Sequence, residues 1–544
     1  MLYDYNKFYK KYPVNQHDLT LNHSSRHAMI ASLCLGKVLD IGCGTGNLAD
    51  YFFGDYTGLD ISDVAIENAK KIRRKGASFF VRDCSDLSNF DLSSFDTIIL
   101  SEFLEHLESD DKIFNAIPKS AKKDARLIIT VPNGDRIPDE SHLRIFTVPD
   151  LRKKLSPFGK VKFYNWPGAI GQILCTVDLG QKNDNLVSLV MVVKDEENGL
   201  ERAILSCIDF VDNIVISVDS KSTDKTLKIA KLYADTLKSH IFEDDFSKLR
   251  NDAHQGVKTK WILVLDGHEF VSKKAELEKY LTSSLDGLLV PVELENGFIF
   301  HYPRIYRNGF YFEGKVHERV SCKKTQYYPG FLIKHGRLGV QASEAILFRR
   351  KQANEMIPRI LEAELKKNPE NIRAHFHLGL FYQSNGNFKK ALFYYSQYLK
   401  YSKNSQERWF ILFHRSLCLL ALGRLFLAFH SACLAESEVP GRWEIPRLKG
   451  LIFFQKRKYA KALEYFVNSF KNYQGVVLYR PWPRKLDYTW NLIGECFYHL
   501  RNYEKAFHAF SRAAQLCENE DAKKFLNDRA KLMYDIFRDS LKSY

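Results

Sequence analysis

Val38-Leu39-Asp40-Ile41-Gly42-Cys43-Gly44-Thr45-Gly46 is the stretch that decides how the first third of this chain folds. A short apolar strand runs into glycines at 42, 44 and 46, and a helix-like stretch follows. Glycines in that place let backbone approach a ligand where side chains would collide. A dinucleotide fingerprint needs another glycine at 47, where this chain has Asn47. The mismatch favours a cofactor lacking a pyrophosphate. Asp60, about 20 residues on, is placed to accept from ribose hydroxyls. Asp83 suits an adenine amino group, and Asp40 suits the amino-acid end of such a ligand.

Working outward, apolar segments alternate with helix-like ones from residue 35 to about 180. Strands are predicted at 37–41, 56–60, 79–82, 97–100, 127–131, 161–164 and 173–177. Strands separated by helices imply a mostly parallel sheet covered on both faces. Residues 181–185 are polar and read as a linker. A second α/β series begins at 186–193 and repeats at 213–218 and 261–265. The run from Val290 to Lys334 is richer in aromatics, Gly and Pro and suits antiparallel strands with loops.

Trp261-Ile262-Leu263-Val264-Leu265-Asp266-Gly267-His268-Glu269 opens the second ligand loop. Asp266 follows an apolar strand, where α/β sheets place ligand groups. Asp266 and His268 point the same way from an extended chain and are spaced to share a divalent cation. A carboxylate with an imidazole suits Mn²⁺ or Mg²⁺, with diphosphate oxygens filling other positions.

The last third repeats. Small residues at Gly379, Ser416, Gly450 and Gly494 are followed twelve positions later by Ala391, Ala428, Ala462 and Ala506. Four positions further come Tyr395, Ala432, Phe466 and Phe510. Such spacing lets paired helices pack closely, and stacked pairs build a superhelix with a concave surface. One interval is stretched by the insertion Tyr473–Pro483.

A chain of 544 residues exceeds one core and predicts three or four domains. The polar, aromatic stretch from Met1 to Tyr12 predicts no signal peptide. No apolar run approaches the roughly 20 residues of a membrane span. Ten scattered cysteines without Cys-x-x-Cys fit a reducing compartment, so a cytoplasmic location is expected. The net charge of +15 is concentrated after residue 341, with 34 Lys and Arg against 19 Asp and Glu; the remainder holds 46 of each. A cationic surface there would attract an acidic partner. Without a recognised nucleic-acid motif, nucleic acid is not the expected partner.

The first motif resembles the class I S-adenosylmethionine-dependent methyltransferases, over residues 35 to 180. Phe95-Asp96-Thr97-Ile98-Ile99-Leu100-Ser101-Glu102-Phe103-Leu104-Glu105-His106-Leu107 looks like that family's fourth-strand motif, and His142-Leu143-Arg144-Ile145-Phe146-Thr147 is similar to a segment common in members acting on small molecules and glycans. The resemblance implies a Rossmann-like fold that binds S-adenosyl-L-methionine through Asp40, Gly42, Gly44, Gly46, Asp60 and Asp83. His106 or His142 is then the candidate general base.

Residues 186 to 340 resemble family 2 glycosyltransferases of the A-type fold. Val193-Lys194-Asp195-Glu196-Glu197 is similar to the first-strand motif, which puts Glu196 at the donor site. Val218-Asp219-Ser220-Lys221-Ser222-Thr223-Asp224 resembles the second, whose first Asp contacts the nucleobase. Asp245-Phe246-Ser247-Lys248-Leu249-Arg250-Asn251 resembles a third, which makes Arg250 a diphosphate or base contact. The family's usual Asp-x-Asp is replaced by Asp266-x-His268. Gly314-Lys315-Val316-His317-Glu318 and Lys334-His335-Gly336 are similar to segments of a subgroup carrying helical repeats. They imply Glu318 as acceptor base, His317 beside it and His335 as a further metal ligand. The last third resembles tetratricopeptide repeats.

The expected architecture is therefore multidomain, α/β plus all-α: residues 1–180, a methyltransferase; 185–341, a glycosyltransferase; 342–544, a tetratricopeptide superhelix. The expected function is bifunctional. Sugar would pass from a nucleotide sugar, a UDP-hexose, in an inverting, metal-dependent reaction to a glycan, lipid-linked or peptide acceptor. O-methylation would occur in the same pathway, with an acidic acceptor held by the basic repeats. A repeat-guided peptide glycosyltransferase methylating the same polypeptide is the second expectation, and a non-enzymatic scaffold the third.

Overall fold

The computed structural model describes residues 4–11, 21–73, 76–88, 90–166, 170–275, 277–294, 299–316, 318–336, 355–470 and 486–542. His317 and the insertion Tyr473–Pro483 lie outside the described residues, apart from their sequence.

Seven strands form the first sheet: β1 (Val38–Ile41), β2 (Tyr56–Asp60), β3 (Ala77–Val81), β4 (Thr97–Ser101), β5 (Arg126–Pro132), β6 (Gly159–Phe163) and β7 (Gln172–Leu179). Their order is β3-β2-β1-β4-β5-β7-β6. β7 runs antiparallel to both β5 and β6, while the other pairs are parallel. β1 is buried along its whole length, as is nearly all of β4 and β5. That explains the continuous apolar runs, since a parallel sheet covered on both faces has no wet side. Residues 181–186 are irregular but tied down, because Asn183 accepts from the Val161 amide and donates to the Gly159 carbonyl.

The second sheet contains β8 (Val187–Val193), β9 (Asn213–Asp219), β10 (Thr236–His240), β11 (Trp261–Val264), β12 (Glu269–Lys274), β13 (Gly287–Glu293), β14 (Ile299–Arg307), β17 (Thr325–Tyr327) and β18 (Phe331–His335). Its order is β10-β9-β8-β11-β14-β13-β18-β12, with β17 beside β13. The pair β15 (Phe312–Glu313) and β16 (Arg319–Val320) stands apart from it. The later strands are mostly antiparallel, as that stretch suggested, apart from β17, which pairs parallel to β13. β10 and β12 were not predicted. β10 is polar and largely exposed, and β12 ends in exposed lysines, so neither carries an apolar period.

The two sheets belong to one compact unit, Met1–Pro291 with Tyr302–Gly314 and Glu318–Gly339. Within it the helix Val148–Leu155 packs on the helix Thr226–Tyr233. Charges flank this seam: Arg152 pairs with Asp235 at 3.0 Å, Lys228 with Asp135 at 2.9 Å, and Arg136 with Glu201.

A second unit comprises Val292–His301, Lys315–His317 and Val340–Tyr544. It is helical from residue 355, with hairpin partners such as Ile372–Ser384 with Phe388–Tyr401 and Leu486–His499 with Tyr503–Leu516. The repeating small residue has a steric cause. A Cβ on Gly379 would sit 2.4 Å from the Tyr395 ring, on Gly450 2.5 Å from Phe466, and on Gly494 2.7 Å from Phe510. Ser416 fits instead by donating to the Ala428 carbonyl at 2.7 Å, opposite the smaller Ala432. Among the described residues no helix is long and apolar enough to cross a membrane.

Candidate functional site

Both α/β sheets reverse their strand order beside their first strand, the place where open α/β sheets bind ligands at the carboxyl ends. In the first sheet the reversal lies between β1 and β4, which puts the glycine loop at that place. Gly42 and Gly46 have φ of 75° and 70°, a region that favours glycine, and a Cβ on either would strike Phe103 or Phe79 at 2.5 Å. Asp60 shapes the same loop, accepting from the Gly44 amide at 2.8 Å and the Ser62 amide at 2.9 Å. Asp40 takes the Tyr56 hydroxyl. Its burial lifts the carboxyl to a pKa of about 7, with the Tyr56 bond opposing that rise and Asp60 adding to it.

A cavity beside this loop is lined by Asp40, Gly42, Gly44, Glu102, His106 and His142, with Tyr5, Phe8 and Tyr9 of the N-terminal helix on another wall. Asp83 is exposed and accepts from the Ser85 amide at 2.9 Å. It does not line the cavity. Sequence reasoning missed the aromatic helix and Glu102. Glu102 adopts φ of 50°, a strained conformation for a side-chain residue, and is held by Thr130, Gln172 and Arg26. His106 and His142 come together, ring centroids 5.1 Å apart, although 36 positions separate them in the chain. Burial lowers the His106 pKa, partly offset by its bond to the Ser141 carbonyl.

In the second sheet the reversal lies between β8 and β11. Asp219 ends β9 and accepts from the Lys221 amide at 2.8 Å, with Lys194 at 3.5 Å. Glu196, after β8, bonds to His268 Nδ1 at 3.2 Å. Gly267 must be glycine-sized, because a Cβ there would meet the Glu196 side chain at 2.6 Å. Asp266 faces two guanidiniums, Arg250 at 2.9 Å and Arg304 at 3.8 Å. Burial pushes the Asp266 carboxyl up, but Arg250, Arg304 and His268 outweigh it and hold it well below the usual carboxylate range. Glu318 pairs with the same Arg250. His335 bonds to Glu269 at 2.8 Å, and its ring lies 5.0 Å from that of His268.

Glu269 and Arg304 were missed as site residues. Glu269 is fully buried, takes Arg304 at 2.7 Å, and accepts from the Asp266 amide at 2.8 Å. It therefore shapes the turn that presents Asp266. Among the described residues the buried atoms Arg250 Nη1 and Arg304 Nε have no hydrogen-bond partner.

Family models match this order of parts: a methyltransferase domain over residues 35–164, glycosyl transferase family 2 over 188–335, and tetratricopeptide repeats over 372–405 and 447–521. The chain joins a methyltransferase domain and a family 2 glycosyltransferase domain to tetratricopeptide repeats. A TPR repeat-containing protein of Synechococcus elongatus is 29% identical over 253 residues, covering 42% of this chain and 61% of that protein. A ubiquinone biosynthesis O-methyltransferase of Neisseria meningitidis is 26% identical over 149 residues, covering 26% of this chain and 60% of that enzyme. The chain thus spans about three fifths of the length of these curated relatives. The crystal structure of MamA matches 35% of this chain and 99% of its own length, at 15% identity and a TM-score of 0.27.

Proposed function

We propose that the chain is a bifunctional transferase, a nucleotide-sugar-dependent glycosyltransferase fused to an S-adenosylmethionine-dependent methyltransferase acting in the same pathway. The observation that supports this best is the pair of charged clusters, each beside a strand-order reversal and each suited to a different ligand. In the methyltransferase domain the residues fit the cofactor, because a cavity runs along Gly42 and Gly44 of the glycine loop and reaches Asp40. S-adenosylmethionine would supply an electrophilic methyl group. Asp40 would meet its cationic end, the loop amides its polar edge, and Asp60 would hold the loop and reach the ribose.

In the glycosyltransferase domain, Asp219 would read the nucleobase. Arg250 and Arg304 would turn their unpartnered N–H groups toward a diphosphate. Asp266, Glu269, Glu318 and Glu196 bring four carboxylates against two guanidiniums. A divalent cation, Mn²⁺ or Mg²⁺, would be held by Asp266 and His268 with diphosphate oxygens; among the described residues His335, bonded to Glu269, does not gather with them as a third ligand. Such an ion would neutralise the departing diphosphate. Glu318 would take the acceptor proton in an inverting displacement, after release from Arg250. The cationic repeat region would hold an acidic glycan, lipid-linked or peptide acceptor.

The test is a screen of nucleotide sugars with Mn²⁺, following nucleoside diphosphate release, beside calorimetry with S-adenosylmethionine. One donor, UDP-linked, should be turned over, and the methyl donor should bind at one site per chain. Failure of both would leave the chain a scaffold.

A further inference from the structure

The helical unit gathers its positive charge at one end. Its hairpins pair Ile372–Ser384 with Phe388–Tyr401, Ser405–Ala421 with Leu425–Glu438, Glu444–Gln455 with Tyr459–Asn468, and Leu486–His499 with Tyr503–Leu516, and each hairpin packs on the next. Such up-and-down stacking puts the turns inside the hairpins at the same end. The last two of these turns meet directly, because the Tyr459 ring stacks on His499 at 4.2 Å. The segments that form this end, 384–390, 422–428, 455–461 and 499–505, hold nine Lys and Arg and one acid, Glu504. Among the described residues, the connections at the opposite end, 401–407, 437–443 and 516–522, hold two Lys and Arg and five acids.

Two further observations point to a partner at the basic end. First, the same position of each turn is left-handed: Gly386, Gly423, Arg457 and Arg501 have φ of 72°, 71°, 56° and 59°. Glycine takes that conformation freely, whereas a side chain strains it. Two turns therefore place a guanidinium where the turn itself favours glycine. Lys461 is paired with Glu464 at 3.1 Å, but the exposed Lys389, Arg424, Arg457, Lys458 and Arg501 form no salt bridge among the described residues. Second, apolar tips stand among these cations. Phe426 is 77% exposed, Leu427 44% and Leu500 42%. Grouped apolar side chains left in water at a charged rim mark a surface that something covers.

We propose that this end of the helical unit docks on a bilayer containing anionic lipid. The guanidinium and ammonium groups lie at the lipid phosphates, and Phe426, Leu427 and Leu500 enter the boundary beneath the headgroups. Cations and apolar tips on one surface are both satisfied there, without any helix that spans the membrane. A nucleic acid would engage the cations but leave the leucines in water. The acidic connections at the other end are repelled by the same lipid, which orients the unit. Of the three acceptor classes named above, a docked chain would meet the lipid-linked one. That last step rests on the glycosyltransferase reading, and the docking surface does not.

The experiment sediments the full chain with vesicles of phosphatidylcholine, with and without phosphatidylglycerol. Binding to the phosphatidylglycerol vesicles alone is expected, and it should weaken between ~0.1 M and ~1 M salt as the screening length shrinks about threefold. Arg457→Gly with Arg501→Gly removes two cations and gives both turns the residue they favour, so the fold is kept. That chain should bind roughly 10-fold more weakly or worse. Phe426→Ser with Leu500→Ser should also weaken binding. Lys366→Ala with Lys367→Ala, two exposed cations outside the basic end, should leave it within about twofold. Circular dichroism and the thermal midpoint check each variant. Absence of vesicle binding, or an equal loss in the Lys366 and Lys367 chain, overturns the proposal. Binding indifferent to Phe426→Ser with Leu500→Ser, or binding of an oligonucleotide in place of vesicles, makes the face a site for a soluble polyanion and overturns it too. No sugar or methyl donor is present in this assay, so its failure leaves the transferase reading standing, and failure of that reading leaves the docking surface.

Discussion

The loop after β1 and the loop after β11 solve opposite electrostatic problems with the same residue type. Asp40 and Asp60 are held by neutral donors, the Tyr56 hydroxyl and the Gly44 and Ser62 amides. Burial therefore dominates and raises both carboxyl pKa values. Asp266 is less buried and faces Arg250 and Arg304, which hold its carboxyl down. The first loop is thus prepared for a ligand that brings its own positive charge. The second already contains countercharges, and N–H groups without a partner among the described residues, and under the proposed reading would take an anionic donor.

Three substitutions would break or sharpen that contrast. The largest effect is expected at Asp266. In Asp266→Ala, Arg250 keeps Glu318 but loses its other partner, and donor turnover should fall roughly 10²–10³-fold or more while S-adenosylmethionine affinity is unchanged. Unaltered nucleoside diphosphate release would mean that the charge network is structural only. Next comes Asp60→Ala, which strands two buried amides at about 1–3 kcal/mol each. Calorimetry should show methyl-donor binding weakened by roughly 10²-fold or more, with sugar-donor turnover preserved; retained affinity would remove Asp60 from the cofactor site.

The smallest effect is a slope. Because the folded Asp40 pKa, about 7, stands above the ordinary 3.8, its stabilising contribution is complete below about pH 4 and is lost as pH rises through 7. Thermal unfolding of the ligand-free chain should therefore lose stability across that window relative to Asp40→Asn. The groups facing Asp40 are Tyr56, Asp60, Cys34 and Cys43, so the comparison with Asn isolates its share. Parallel pH profiles for the two proteins would show that Asp40 is ionised throughout.

Much of the fold was legible. All seven strands of the first sheet were anticipated, since buried parallel strands write themselves as apolar runs. The repeats were legible too, because Gly379, Gly450 and Gly494 each make room for a ring sixteen positions on. The sites were legible only in part. Asp266 and the glycine loop announce themselves by following a strand. Arg304 does not, because it reaches Asp266 and Glu269 only after β14 pairs antiparallel with β11.

The sequence by itself determined where strands, glycine turns and helical repeats occur, because apolar period and side-chain size act over a few neighbouring residues. Only the tertiary structure decided which charges meet. Arg250 bridges Asp266 and Glu318, and His142 arrives beside His106. Burial and Coulomb energies depend on distance in space, and sheet order sets that distance independently of position along the chain.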